Sequence, residues 1–107
     1  MDLKLLNREI LLSFWKVHIL HHAEEGGVVG QWMIHELRHH GYEVSPGTLY
    51  PLLKRMEKYG WLKSKADASR GAKAPRAYRI TGEGRKILKV IRQQLRELGV
   101  EVVKKGR

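Results

Sequence analysis

The chain contains no cysteine and no long run of apolar residues. The lack of cysteine excludes disulfide bonds and thiolate metal sites, and it suits a reducing cytosol. Uninterrupted apolar runs reach only three residues, as at Ile10–Leu12, whereas a membrane span needs roughly 20. Asp2 and Glu9 near the start are not the layout of a signal peptide. We therefore expect a soluble, cytoplasmic protein with no membrane partner.

Signs of catalysis are also missing from the sequence. There is no thiol nucleophile, and no glycine-rich phosphate loop precedes a Lys-Ser/Thr pair. The acidic residues are scattered instead of being paired in a plausible cleft. We expect no enzymatic activity and no cofactor.

Positive charge is abundant and is concentrated in the middle of the chain. The 107 residues have a formal net charge of +10, which favours a polyanionic partner. Residues 45–80 hold nine Lys and Arg against two Asp and Glu, whereas residues 1–44 hold four against six. A basic excess confined to one segment indicates a docking surface more than general solubility.

Apolar spacing predicts three helices within the first 60 residues. They run from Leu6 to about His22, from Gly30 to about His40, and from Ser45 as N-cap to Gly60. Gly41 is placed to end the second helix, because glycine readily adopts the left-handed conformation found after a helix C-terminus. Pro51 inside the third helix predicts a bend or a tight first turn, and it leaves the Gly47 carbonyl without its usual partner.

Alternating residues predict a β-hairpin next, with strands at Trp61–Lys65 and Ala77–Ile80. A winged helix-turn-helix has this order of elements: a helix, a turn, a second helix and then a basic hairpin. We therefore predict a mainly α fold with a small β-hairpin. Residues 1–81 would form the DNA-binding domain with its N-terminal helix, and residues 82–107 a C-terminal dimerisation helix.

The last predicted helix, capped by Thr81, has the a/d spacing of a coiled coil. Its apolar seam consists of Leu88, Ile91, Leu95, Leu98 and Val102. Such a seam needs a partner, and a second copy of the chain is the simplest one. Leu11 and Trp15 form an extra stripe on the first helix that would face the same partner. The alternative is a last helix that folds back on its own core.

The third helix is the predicted recognition helix, because the second helix of such a pair can lie in the major groove of DNA. With Leu49, Leu53 and Met56 turned inward, Gly47, Tyr50, Pro51 and Lys54 point outward. Lys54 and Arg55 are placed for phosphate or guanine. In the wing, Arg70, Lys73 and Arg76 would contact the backbone or the minor groove. The alternatives are a core position for Tyr50 and a merely solvated wing loop.

Gly41–Gly60, followed by Trp61 and Leu62, resembles the PadR family of transcriptional regulators. The similarity is most specific in the run Ser45–Leu53 with its Gly-Thr-Leu-Tyr-Pro core. Ala77–Arg85 is similar to that family's second wing strand entering the last helix. The resemblance implies a winged-helix dimer, of the smaller subfamily with a single C-terminal helix, that represses transcription from palindromic operators.

The resemblance also implies site residues. DNA contact would fall to Ser45, Thr48, Tyr50, Pro51, Lys54 and the basic wing residues. Gln31 follows Gly30 where the family usually has tyrosine, and its amide would bond to phosphate. Because the family senses phenolic or flat hydrophobic compounds, Trp15 and Trp32 would line an effector pocket at the dimer interface. The alternative is a packed interface without a cavity.

Histidines form pairs four residues apart, at His18 and His22 and at His35 and His39. Such pairs can chelate zinc or nickel on one helical face or form a pH-sensitive patch. Nothing in the sequence supplies a carboxylate or a fourth ligand at a fixed spacing. The sequence therefore assigns no metal site.

The function predicted from the sequence is a sequence-specific regulator that binds double-stranded DNA, a homodimeric repressor relieved by a small aromatic effector. The alternative is a winged-helix module that binds RNA or protein without reading DNA sequence. The first predicts tight binding to one palindrome, and the second predicts affinity that depends on salt but hardly on sequence.

Overall fold

The computed structural model describes residues 1–66, 71 and 74–103. Helices in it pack against one face of a small antiparallel sheet. In chain order the elements are α1 (Leu3–Leu6), a π-helical turn (Asn7–Leu11), α2 (Leu12–Glu25), β1 (Val28–Val29), α3 (Gly30–His39), α4 (Pro46–Lys58), β2 (Leu62–Ala66), β3 (Arg76–Ile80) and α5 (Gly82–Val102). The predicted mainly α fold with a winged helix-turn-helix is confirmed.

The first helical segment is longer than predicted at both ends, because it runs from Leu3 to Glu25 with the π turn inside it. Asp2 caps its start, since the side chain accepts a hydrogen bond from the Leu5 amide at 3.1 Å. This capping role of Asp2 was not predicted from the sequence. The helix ends at Gly26.

The turn between α3 and α4 has the geometry expected from Gly41. Gly41 has a φ of 94°, and the Tyr42 amide donates to the Leu37 carbonyl at 3.1 Å. This is the pattern of a Schellman motif, in which a left-handed glycine lets the last carbonyls of a helix find donors. Arg38 fixes the rest of the turn, because its guanidinium donates twice to the Val44 carbonyl.

The start of α4 differs in one detail from the prediction. Ser45 is the N-cap by position, but its hydroxyl donates to the Thr48 hydroxyl at 3.3 Å instead of capping a backbone amide. The Thr48 amide donates to the Ser45 carbonyl at 3.1 Å, which is the tight first turn that Pro51 led us to expect. The helix then continues through Pro51 to Lys58.

The sheet contains a strand that the sequence did not predict. Val28 and Val29 form β1, which pairs with β3 at Tyr78 and Ala77 and gives the strand order β1-β3-β2. Two residues are too few to show an alternating pattern, so only the partner strand identifies them. Because β1 leads directly into α3, it fixes where the helix-turn-helix begins relative to the wing.

The core lies between α2, α3, α4, the sheet and the beginning of α5. Its buried apolar residues are Trp15, Ile19, Leu20, Ala23, Val28, Met33, Ile34, Leu37, Val44, Leu49, Leu52, Leu53, Met56, Leu62, Tyr78, Ile80 and Leu88. Two predicted interface residues therefore need correction. Trp15 and Leu88 are only 3% and 1% exposed within the single chain, so they pack in its own core and are not available to a partner.

Helix α5 divides into a packed half and an exposed half. Leu88 lies in the core, and Ile91 packs against it, as Leu11 does from the first helix. Arg92 ties this half to α2 through a 3.1 Å contact with Glu24. Leu95, Leu98 and Val102 are exposed beyond it. The fold-back alternative thus holds for the first part of the helix only. No helix in the described residues has the length and apolar character required to cross a bilayer.

Thr81 provides a test of how α5 is held. Its hydroxyl accepts a hydrogen bond from the Gly84 amide at 3.0 Å and donates to the Gly60 carbonyl. We expect Thr81→Ala to lower the free energy of unfolding by about 1 kcal/mol, the usual cost of losing an N-cap. Thr81→Ser keeps the hydroxyl and should retain most of the stability. Urea unfolding followed by circular dichroism would measure both, and equal stability of Thr81→Ala and the parent would contradict the assignment.

Candidate DNA interface

The two faces of α4 differ sharply in burial. Leu49, Leu53 and Met56 are each 0% exposed, whereas Tyr50 and Lys54 on the outer side are exposed. This is the orientation predicted from helical geometry, and it rules out a core position for Tyr50 in this chain. The inner face anchors the helix to the core, so the outer face is held at a fixed angle to the protein surface.

Cationic side chains line a groove between α4 and the wing. Lys54 and Lys58 from α4 and Arg76 from β3 border a cavity of about 410 Å³ together with Glu57 and Tyr78. Glu57 is the sole acid on α4, and its carboxylate accepts hydrogen bonds from Ser64 within the protein. The groove therefore has the electrostatic character that attracts a phosphate backbone.

Glu57 joins the recognition helix to the wing. Its Oε2 atom accepts hydrogen bonds from the Ser64 amide at 3.0 Å and from the Ser64 hydroxyl at 2.7 Å. The Ser64 hydroxyl in turn accepts from Nε of Arg76 at 3.0 Å. Burial, reinforced by the nearby Glu57 carboxylate, raises the pKa of Tyr78 above its ordinary value. The phenol therefore remains protonated beside the groove at neutral pH.

Tyr50 is positioned by a close approach to α3. Its ring lies directly over Gly30, where a Cβ atom would overlap the ring carbons. Gln31, the next residue, is exposed and lines a second cavity of about 350 Å³ that also includes Tyr50 and Arg76. Glycine at this position thus lets Tyr50 lie against the start of α3, between the two helices and the wing.

The remaining predicted DNA contacts fall into separate groups. Ser45, Gly47, Thr48 and Pro51 are exposed at the beginning of α4, and Arg55 is exposed further along the same helix. The other two, Arg70 and Lys73, lie outside the described residues. The structure therefore brings Gln31, Tyr50, Lys54 and Arg76 together, with the start of α4 extending the same surface.

A further basic surface was missed in the sequence analysis. Lys63, Lys65 and Arg79 are exposed on the sheet, and Lys63 lies directly across from Arg79 in the β2–β3 register. The signal was present, because alternation places these residues opposite the buried Leu62 and Tyr78. Alternation identified the strands, but the charges that share their outer face were not among the predicted contacts.

The two tryptophans predicted to line an effector pocket have different surroundings. Trp15 borders a cavity of about 650 Å³ whose other walls include Leu12, Tyr42 and Val44. Its indole Nε1 is buried and has no hydrogen-bond partner among the described residues. Trp32 is exposed on α3, with its ring 5.1 Å from that of His22. The predicted pairing of the two side chains around one ligand is not seen in the single chain.

The histidines also group differently from the predicted pairs. His18 and His22 lie on one face of α2 as expected, but His40 is the residue that joins them. His35 and His39 are exposed on α3. The grouping depends on how α3 packs on α2, which a spacing pattern within one helix does not report.

A helix-turn-helix whose second helix presents an exposed face beside a basic three-stranded wing defines a winged-helix DNA-binding protein. The comparisons with known proteins identify its family. The family model of the transcriptional regulator PadR-like family matches residues 19–90. A curated Mycobacterium tuberculosis protein, Transcriptional regulator Rv3488, is 47% identical over 96 residues, which cover 90% of this chain and 89% of that protein.

Solved structures agree with this result. A PadR-like transcriptional regulator from Bacillus cereus has a TM-score of 0.77 and 26% identity, and the match covers 95% of this chain and 96% of that one. A PadR family transcriptional regulator from Eggerthella lenta has a TM-score of 0.71 and 29% identity, with 92% and 90% covered. The chain belongs to the PadR-like family of transcriptional regulators. It is a DNA-binding transcriptional regulator and not an enzyme.

Gly30 offers a test of the interface. We expect Gly30→Ala to weaken DNA binding about tenfold, because the new methyl group would displace the Tyr50 ring from its position beside the groove. Overpacking should also lower the free energy of unfolding by about 1–2 kcal/mol. Gly26→Ala is the matched control, since no atom lies near its added Cβ. Fluorescence anisotropy with a labelled duplex measures the affinity, and unchanged binding by Gly30→Ala would contradict the role given to Tyr50.

Proposed function

We propose that this protein is a cytoplasmic, homodimeric repressor that binds a palindromic operator with one α4 helix in each half-site. The observation that carries the proposal is the groove in which Lys54 and Lys58 of α4 face Arg76 of the wing. A duplex seated there would receive α4 in its major groove, while the wing contacts the adjacent backbone.

The small residues at the start of α4 support this orientation. Ser45, Gly47 and Thr48 are exposed, so the backbone there can approach a duplex closely. Backbone amides at a helix N-terminus attract phosphate. Tyr50, next along the same face, would offer its hydroxyl to phosphate or its ring to a thymine methyl group. We propose that these residues contact DNA, together with Gln31, Pro51, Lys54, Arg55 and Arg76. Arg70 and Lys73 of the wing are expected to contact DNA as well.

The unpacked half of α5 supports the homodimer. Leu95, Leu98 and Val102 are exposed on a single stripe, and Phe14 and Val17 line an apolar groove of about 370 Å³ between α2 and α5. An exposed apolar stripe beside an apolar groove suits a second copy, whose α5 would cover both. Two recognition helices would then be presented with twofold symmetry, as a palindrome requires.

A small aromatic effector is a further part of the proposal. The cavity beside Trp15 offers apolar walls at Leu12, Tyr42 and Val44, which suit an aromatic ring, and it is also lined by the charged residues Lys4, Arg8, Arg38 and Glu43. Ser45 and Thr48 border the same cavity. A flat ligand bound there would thus touch the start of the recognition helix, which gives it a direct route to changing DNA affinity.

Selection of bound sequences from random duplex DNA tests the proposed function. We expect enrichment of one palindrome whose half-site centres are about 10 base pairs, or a multiple of that, apart. Affinity for it should exceed affinity for unrelated duplexes by about 1,000-fold or more. No enrichment, together with affinity that responds only to salt, would overturn the proposal of sequence-specific repression.

The contact residues are tested on the selected palindrome. Tyr50→Ala combined with Lys54→Ala should reduce affinity about 100-fold or more, because each subunit loses one base-proximal and one cationic contact. Lys86→Ala, which removes an exposed charge from α5, is the control and should bind normally. Normal binding by the double variant would remove α4 from the role of recognition helix.

The dimer is tested by placing charge on the exposed stripe. Leu95→Glu with Leu98→Glu should produce a folded monomer, because the carboxylates would be desolvated at the proposed interface. Val90→Glu with Val100→Glu is the matched control, since both valines are exposed on α5 outside the stripe. Sedimentation velocity gives the oligomeric state. A monomeric parent protein, or a stripe variant that stays dimeric, would exclude this interface.

A further inference from the structure

Three histidines from two helices meet on the side of the helix-turn-helix that faces α2. His18 and His22 are one turn apart on α2, and His40 follows directly after α3. One ring nitrogen of each lies within 4.8 Å of those of the other two. The ring centroids of His18 and His40 are only 4.7 Å apart. The cluster therefore bridges two successive helices.

A carboxylate lies against two of these rings. Oε2 of Glu36 is 3.2 Å from Nε2 of His22 and 3.0 Å from Nε2 of His40. The side chains of His22 and Glu36 are only 15% and 22% exposed, so both are largely removed from water. Carboxylates in this position hold an imidazole in one orientation and make its other nitrogen a stronger ligand. In His22 that nitrogen is Nδ1, which lies 3.2 Å from Oε1 of the exposed Glu25 side chain, so Glu25 must turn aside when an ion binds. Glu36 is the acidic partner that the sequence pattern lacked.

Imidazole beside a carboxylate is the environment in which proteins hold zinc and related ions.

We propose that His18, His22 and His40 bind one divalent transition-metal ion, with Glu36 as the positioning residue that orients His22 and His40. Three imidazole ligands suit Zn²⁺, Ni²⁺, Co²⁺ or Cu²⁺ and do not suit Mg²⁺ or Ca²⁺. With metal–nitrogen bonds of about 2.0–2.1 Å, the ring nitrogens would draw together to about 3.4 Å. The bound ion would fasten α2 to the end of α3, next to the turn that leads into α4.

A competing group shares His22. His21, His22 and Glu25 also place their ligand atoms within 4.8 Å of one another. The side chains of His21 and Glu25 are 46% and 62% exposed, and Nη2 of Arg92 lies 3.1 Å from Nδ1 of His21. A guanidinium this close opposes a second cation. The group containing His18 and His40 is therefore the favoured site.

Metal titration of the tag-free, chelator-treated protein tests the site. We expect Zn²⁺ to bind with one ion per chain by calorimetry, and Co²⁺ to give a visible spectrum typical of imidazole ligation at low coordination number. His18→Ala and His40→Ala should each raise the Kd for Zn²⁺ about 100-fold or more, because each removes a ligand. Glu36→Gln should raise it about tenfold, the effect expected of an orienting carboxylate. Zn²⁺ at 100 times its Kd should raise the Tm of the parent by about 10 °C.

The control variants use the other histidines of the chain. His35→Ala with His39→Ala, on the exposed side of α3, and the single variant His21→Ala should both bind Zn²⁺ as the parent does. Circular dichroism and Tm in the presence of chelator verify the fold of each variant, and His40→Gln replaces His40→Ala if the alanine variant is unstable. Unchanged Kd in the His18 and His40 variants, or loss of binding in the His21 variant alone, would overturn the proposal. No DNA is present, so the result is independent of the proposed operator binding.

Discussion

The burial of one face of α4 is the constraint on which the rest of the molecule depends. Leu49, Leu52, Leu53 and Met56 have no exposed surface and together join α3, the sheet and α2 around one core. Burying side chains of this size stabilises the fold by about 1.5–3 kcal/mol each. Because this face cannot rotate away from the core, Tyr50 and Lys54 have a fixed direction toward solvent. The same packing that stabilises the domain thus presents its DNA-binding surface.

Polar contacts then set the geometry between α4 and the wing. The Glu57 carboxylate accepts from Ser64, and Ser64 accepts from Arg76, so a single chain of hydrogen bonds passes from the recognition helix through β2 to β3. The Glu57 carboxylate is thereby engaged in positioning the wing, and the lysines around it remain the dominant charges of the groove. A wing that is fixed in this way approaches the duplex at a defined distance from α4, which diffuse positive charge alone would not provide.

The side of the domain away from the wing has a different chemistry. Its apolar groove between α2 and α5 and its cavity beside Trp15 lie near the histidine cluster, and Tyr42 connects these features by contacting the rings of both Trp15 and His18. Tyr42 also follows the Gly41 turn that leads to α4. A ligand, a partner or an ion on this side therefore acts close to the segment that orients the recognition helix. We regard this proximity as the physical basis on which regulation of DNA binding would rest.

The sequence by itself determined the order of the main helices and of the two wing strands, the direction in which α4 faces and the family. These features are encoded locally: a glycine after α3, a proline at the start of α4, alternation in the wing and apolar residues at helical spacing are each visible within a few residues. The run Ser45–Leu53 was specific enough to identify the family before any contact was known. Exposure of Tyr50 and Lys54 followed from the same periodicity.

Only the tertiary structure decided which apolar stripe was already covered and which histidines meet. Trp15 and Leu88 carry the same periodic signal as residues of an interface, yet they are buried because α2 and α5 pack on the core at those points. His40 and Glu36 join His18 and His22 only through the packing of α3 on α2, and β1 exists only because β3 offers it an edge. Periodicity reports the face of an element on which a side chain lies. What that face meets depends on contacts between residues far apart in the chain, which no local pattern contains.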